Sequence, residues 1–182
     1  SGSNGAIVHY RATTRSTKKI NKNDIFLVDS GGQYNYGTTD VTRTICFTNQ
    51  KMSIKKAYTN VLKGHIAVAL TNLRKDNTGK KIDIRARKFL KKEGLDYAHG
   101  TGHGVGFFLN VHEGPQSISK YNNIKLTKGM ILSNEPGFYK KGHFGIRIEN
   151  LIYVKKFKDK LLFDNFTLAP IEKDLVNYKL LN

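Results

Sequence analysis

The chain has 182 residues, 38% hydrophobic and 25% charged, which suits one globular domain with a core of its own. Its longest apolar runs, such as residues 66–70, fall far short of the roughly 18 residues that cross a bilayer, so no membrane span is expected. A net charge of +17 raises the question of a polyanionic partner, but 24 of the 31 basic residues are Lys, scattered and without interleaved aromatics to stack bases, so no nucleic-acid partner is expected.

In chain order, the opening residues run into a strand at GAIVHY. They carry neither the basic start nor the apolar segment of a secretory signal, and Cys46 is the single cysteine, so a cytoplasmic location is expected. The stretch IFLVDSGGQYNYGTTDVTRTICF starts apolar, breaks at glycines and resumes β-branched, which predicts strands at Ile25–Asp29 and Thr38–Phe47. From Ser53 to Arg74 the positions Ile54, Ala57, Tyr58, Val61, Leu62, Ile66, Ala69 and Leu73 recur at helical spacing. A second helix is predicted over Ile82–Glu93, stopped by Gly94. His99 to Pro115, HGTGHGVGFFLNVHEGP, gathers three of the six histidines with five glycines. As a helix it would put His99 and His103 one turn apart, but Gly100, Gly102, Gly104 and Gly106 argue for a loop or bulged strand that approaches a ligand closely. GMILSNEPGFYKKGHFGIRIENLIYV and KLLFDNFTLAPI then read as strands, with a turn at Pro136–Gly137 and a Gly-containing hairpin. The order is α+β, in a single domain over 1–182. Both ends read as cut.

Asp29 closes an apolar strand, where an unpaired carboxylate is so costly that it must be paired, protonated or bound to metal. Asp40 raises the same problem on the side of Thr42 and Thr44, and a loop through Gly31, Gly32 and Gly37 folds it back beside Asp29. Arg43, on the same strand, projects to the opposite face. Glu135 and Glu149 add two more acids in apolar strand contexts. Four strand-borne carboxylates and one histidine, for which His103 is chosen, suit two divalent ions bridged by shared carboxylates, and one lysine could not neutralise them. Asp24, Asp76, Glu93, Asp159, Asp164, Glu172 and Asp174 read as turn or surface residues, and His65 and His143 as structural or surface ones.

The segments VDSGGQYNYGTTDVTRT, HGTGHGVGFFLNVHEGP, NEPGFY and GIRIEN, in that order, resemble the catalytic domain of the X-Pro aminopeptidase (aminopeptidase P) family, cytosolic type, over residues 5–171. Methionine aminopeptidase, prolidase and creatinase share parts of the pattern. The resemblance implies the pita-bread fold, a curved antiparallel sheet with helices outside, and two metal ions, usually Mn and sometimes Zn or Co. It implies Asp29, Asp40, His103, Glu135 and Glu149 as ligands, with Asp40 and Glu149 bridging. It also implies Glu135 as proton shuttle, His9 and His112 at the carbonyl oxygen, His99 lining the proline pocket and Arg147 orienting the carboxylates. The substrates would be peptides with proline at the second position, and many relatives are dimers. Relatives begin further upstream and carry N-terminal domains, so a truncated chain, or a peptidase-like binding module without catalysis, stands as the alternative.

Overall fold

The computed structural model describes residues 1–107 and 110–181. Phe108 and Leu109 of the histidine-rich segment, and Asn182, lie outside the described residues.

Strands β1 (Ile25–Tyr34) and β2 (Gly37–Cys46) form an antiparallel hairpin, with Ile25 opposite Cys46 and Gly31 opposite Asp40. β1 runs through Gly31 and Gly32, where a loop was expected. A Cβ on Gly31 would lie 2.5 Å from the Thr39 carbonyl, so glycine lets the two strands stay paired there rather than breaking them. The opening GAIVHY is not a strand either. Gly2–Ala6 is a short 3₁₀ helix, its amides engaged in local turns such as Ile7 N to Asn4 O, and Ile7 is exposed.

Helix α1 (Met52–Ala69) stops five residues before the predicted Arg74. The Asn72 side chain accepts the Arg74 amide hydrogen, a local alternative to the helical ladder, yet Leu73 still reaches the core from this turn. Helix α2 (Gly79–Lys91) begins earlier than predicted and ends two residues short of Glu93; Gly94, with φ +69°, supplies the expected left-handed stop. Ile82, Ala86 and Leu90 form its buried stripe.

The remaining strands are short: β3 (Gly102–His103), β4 (Ser117–Ile118), β5 (Ile131–Asn134), β6 (Gly137–Lys140), β7 (Phe144–Arg147), β8 (Asn150–Phe157) and β9 (Lys160–Asn165). All pair antiparallel, β3 with β4, β6 with β7, and β8 between β5 and β9. The register passes unbroken from Asn134 opposite Asn150 to Gly137 opposite Arg147. β5–β6 and β7–β8 are therefore one ribbon, interrupted at facing points. Glu135 and Glu149, expected within strands, sit in those two interruptions. There the Glu149 amide donates to the Thr42 carbonyl and the Glu135 amide to the Thr101 carbonyl, which ties the ribbon to β2 on one side and to the β3 segment on the other. The result is a curved antiparallel sheet with α1 and α2 packed outside it. Two apolar clusters cement the helices to the strands, one around Tyr58, Val61, Leu90 and Ile146, the other around Val68, Ile82, Leu132 and Ile152.

Candidate metal centre

The concave side of this sheet gathers side chains from β1, β2, β3 and both interruptions. Strand alternation puts Asp40 on the same face as Thr42 and Thr44, as read from the sequence, and Arg43 on the other, where its guanidinium donates to the carbonyls of Glu149 and Ala169 at 2.5 and 2.7 Å. His103 Nε2 lies 3.3 Å from Asp40 Oδ2, 3.4 Å from Glu135 Oε1 and 4.0 Å from Glu149 Oε1. Three sets of potential ligand atoms each lie within 4.8 Å of one another: Asp29, Asp40 and Glu149; His103, Glu135 and Glu149; and Asp40, His103 and His112. The first two share Glu149, and Asp40 reaches into the third, so the five side chains divide into two groups joined by Glu149 and Asp40. A cavity of about 200 Å³ opens onto them, lined also by His9, His99, His112 and Arg147.

The electrostatics call for cations. Glu149 is buried, and burial followed by the neighbouring Glu135 and Asp40 charges pushes its carboxyl up to about 8. Burial likewise raises Glu135. Arg147, 3% exposed, lies 2.5 Å from Asp29 Oδ2 and 3.9 Å from Glu135 Oε2. Burial would lower His103, but Asp40 and the other acids outweigh it and lift the imidazole to about 9. Its Nδ1 lies 3.0 Å from the Gly104 carbonyl, an acceptor, so Nδ1 keeps a proton and Nε2 offers its lone pair to a cation once the second proton leaves. Four carboxylates and one imidazole, repelling or proton-sharing as they stand, fit a pair of divalent cations.

Several residues that sequence reasoning had not singled out hold this set in place. Thr42 Oγ1 donates to Glu149 Oε2 at 2.6 Å and accepts from Arg147 Nε at 2.9 Å. Ser133 Oγ donates to Glu135 Oε1 at 3.0 Å and accepts the His103 amide at 2.9 Å. The Tyr139 hydroxyl accepts from Arg147 Nη1 at 3.0 Å and donates to His99 Nε2 at 2.9 Å. His99 Nδ1 in turn donates to the Gly100 carbonyl at 2.6 Å, and burial holds this imidazole neutral, down at about 4. The His112 ring lies against His103, 4.0 Å between centroids and tilted by 55°. The signal for Thr42 was its shared strand face with Asp40. For Ser133 and Tyr139 the chain spacing carries no sign of the contacts, which arise only when the ribbon closes.

A curved antiparallel sheet with outer helices and clustered acids on its concave face defines the pita-bread class of metallohydrolase domain. Residues 1–156 match metallopeptidase family M24, and the chain belongs to that family. It is 51% identical over 191 aligned positions to the probable Xaa-Pro aminopeptidase P of Phaeosphaeria nodorum, covering 99% of this chain and 29% of that protein. It is 50% identical to the corresponding protein of Laccaria bicolor, covering all of this chain and 30% of that one. The chain thus spans under a third of the length of these curated relatives. Among solved structures it matches the X-prolyl aminopeptidase of Caenorhabditis elegans, described as a cytosolic enzyme with a di-nuclear active site, with a TM-score of 0.92 and 41% identity over 100% of this chain and 31% of that one. The prolidase of Pyrococcus furiosus matches with a TM-score of 0.81 and 29% identity, over 93% of this chain and 48% of that one. No helix among the described residues is long and apolar enough to cross a membrane.

Proposed function

We propose that the chain carries the catalytic centre of a cytoplasmic metallo-exopeptidase that hydrolyses the bond between an N-terminal residue and a following proline. The observation that carries this reading is the pair of ligand groups sharing Glu149. Asp40 and Glu149 would be common to two divalent cations, with Asp29 completing one set and His103 and Glu135 the other; Mn suits the oxygen-rich donors, and Zn or Co remain alternatives. When bound, such ions lower the pKa of water and polarise a carbonyl.

The protein's own groups supply the rest. Glu135, half-buried and with its carboxyl raised in the metal-free site, is suited to take a proton and pass it to the departing proline nitrogen, with Ser133 fixing its carboxylate. His9 and His112 line the cavity, where their N–H donors would stabilise developing charge on a substrate carbonyl oxygen. His99, held neutral and fixed by Tyr139, presents a flat ring wall of the kind a proline ring packs against. Arg147 anchors Asp29 through a 2.5 Å ion pair, and that carboxylate would lie near the substrate's free amine. Incubation with Mn and an X-Pro-Pro tripeptide should release the first amino acid, whereas a matched peptide with alanine at the second position should resist. Inactivity with both metal positions filled would contradict the reading.

A further inference from the structure

The histidine-bearing segment has little secondary structure to hold it. β3 is two residues long, its glycines are conformationally loose, and His99 lies in no strand or helix. β4, Ser133 and Tyr139 hold it from the sheet side, and α2 holds it from the other. Arg87, 7% exposed, spends its fork on this stretch and its own helix: Nε donates to Asp83 Oδ2 at 2.8 Å, Nη1 to the Tyr97 carbonyl and to Asp96 Oδ1, each at 2.7 Å, and Nη2 to the His99 carbonyl at 2.6 Å. The guanidinium also lies 3.9 Å from the centre of the Tyr97 ring. Asp83, 1% exposed, uses its other oxygen to accept from Thr101 Oγ1 at 2.6 Å. Thr101 is fully buried, and its carbonyl accepts the Glu135 amide at 2.8 Å. A continuous chain of bonds therefore runs from one helical turn of α2 to the backbone of His99, to the residue two before His103, and to the amide of Glu135.

We infer that Arg87 and Asp83 are positioning residues: the buried pair on α2 clamps the glycine-rich segment and so sets the placement of His99, His103 and Glu135 without touching substrate or metal. A lysine at position 87 could keep the charge but could not reach two carbonyls and a carboxylate at once, because only the planar fork presents donors in fixed divergent directions. The chain from Arg87 ends on the backbone of His99 and at Thr101, two residues before His103, and so acts on the metal-ligating histidine from outside its coordination sphere, where losses of about tenfold to a hundredfold in metal affinity are usual. The role in turnover rests on the function proposed above; the role in metal binding does not.

Arg87→Lys and Thr101→Val test this separately, the first removing the fork and the second the Asp83–Thr101 link. Both should unfold cooperatively on heating. Each should bind Mn, measured by titration calorimetry, at least tenfold more weakly than the parent. Amides of residues 99–104 should exchange at least tenfold faster while those of α1 stay unchanged, and on an X-Pro-Pro peptide kcat should fall more than tenfold with KM within about threefold. Folded variants with parental Mn affinity and parental exchange at 99–104 would overturn the inference. So would exchange rising equally across α1 and β8, which marks a general structural role, or failure of both variants to fold. If the parent binds Mn yet cleaves no X-Pro peptide, the catalytic reading falls, while the affinity and exchange results still decide the positioning role.

Discussion

Glu149 concentrates the energetics of the site in one side chain. Its carboxyl is nearly inaccessible and sits among other acids, so the metal-free fold binds its proton more tightly than the unfolded chain does, about 8 against an ordinary value near 4.5. A raised carboxyl contributes stability that is present below the unfolded value and lost as pH climbs to the folded one. At pH 8, metal-free Glu149→Gln should therefore melt at least as high as the parent, while its rise in melting temperature on adding Mn should shrink sharply; a melting drop of several degrees without metal would refute this. At the proposed proton shuttle, Glu135→Gln should lower kcat by about 10²-fold or more with cooperative unfolding retained, checked by steady-state kinetics beside a thermal melt. These acids were legible in the sequence because a carboxylate in an apolar run demands a partner. Asp83 and Arg87 were not, since an i,i+4 acid–base pair on a helix looks the same whether it faces water or a buried segment.

At the scale of elements, most strands and both helices were readable from periodicity, and the errors were a strand that did not form and element ends that moved. α1 stopped early where Asn72 captured an amide, β1 ran on where Gly31 allowed close pairing, and the GAIVHY segment folded into local turns. These outcomes were decided by local turn bonds, a close approach between strands and a side-chain bond, none of which a hydrophobic pattern encodes. The same closeness makes Gly102 intolerant, since a Cβ there would lie 2.0 Å from the Ser133 carbonyl. Gly102→Ala should destabilise by about 3 kcal/mol, the upper range for overpacking, measured by chemical denaturation; a change below about 0.5 kcal/mol would show that β3 and β5 can separate freely. α1 carries a second test. His65, buried, donates from Nδ1 to the Asn134 carbonyl 3.1 Å away, and burial, aided by Arg43 and opposed by the Asn134 and Ile148 carbonyls, lowers it to about 4. A lowered histidine contributes stability that is present above the unfolded value of about 6.5 and lost as pH falls toward 4. His65→Gln, which can keep the donor, should lose less stability than the parent between pH 6.5 and 4, and parallel curves would exclude His65 as the source.

At the scale of the whole molecule, the curved ribbon exists to bring remote parts of the chain together: Asp29 and Glu149 stand 120 positions apart in sequence yet present oxygens within 4.8 Å. The interruptions at 135–136 and 148–149 are what aim Glu135 and Glu149 inward, so fold and site are a single construction. Among the described residues no lysine lines the cavity. The most direct measurement is metal content per chain, by mass spectrometry of the native protein after gentle purification with Mn present. Two ions per chain, falling to one or none in Glu149→Ala and to one in Asp29→Asn, is the predicted result. A parent that holds no ions, or that holds a single ion unaffected by either substitution, would contradict the account.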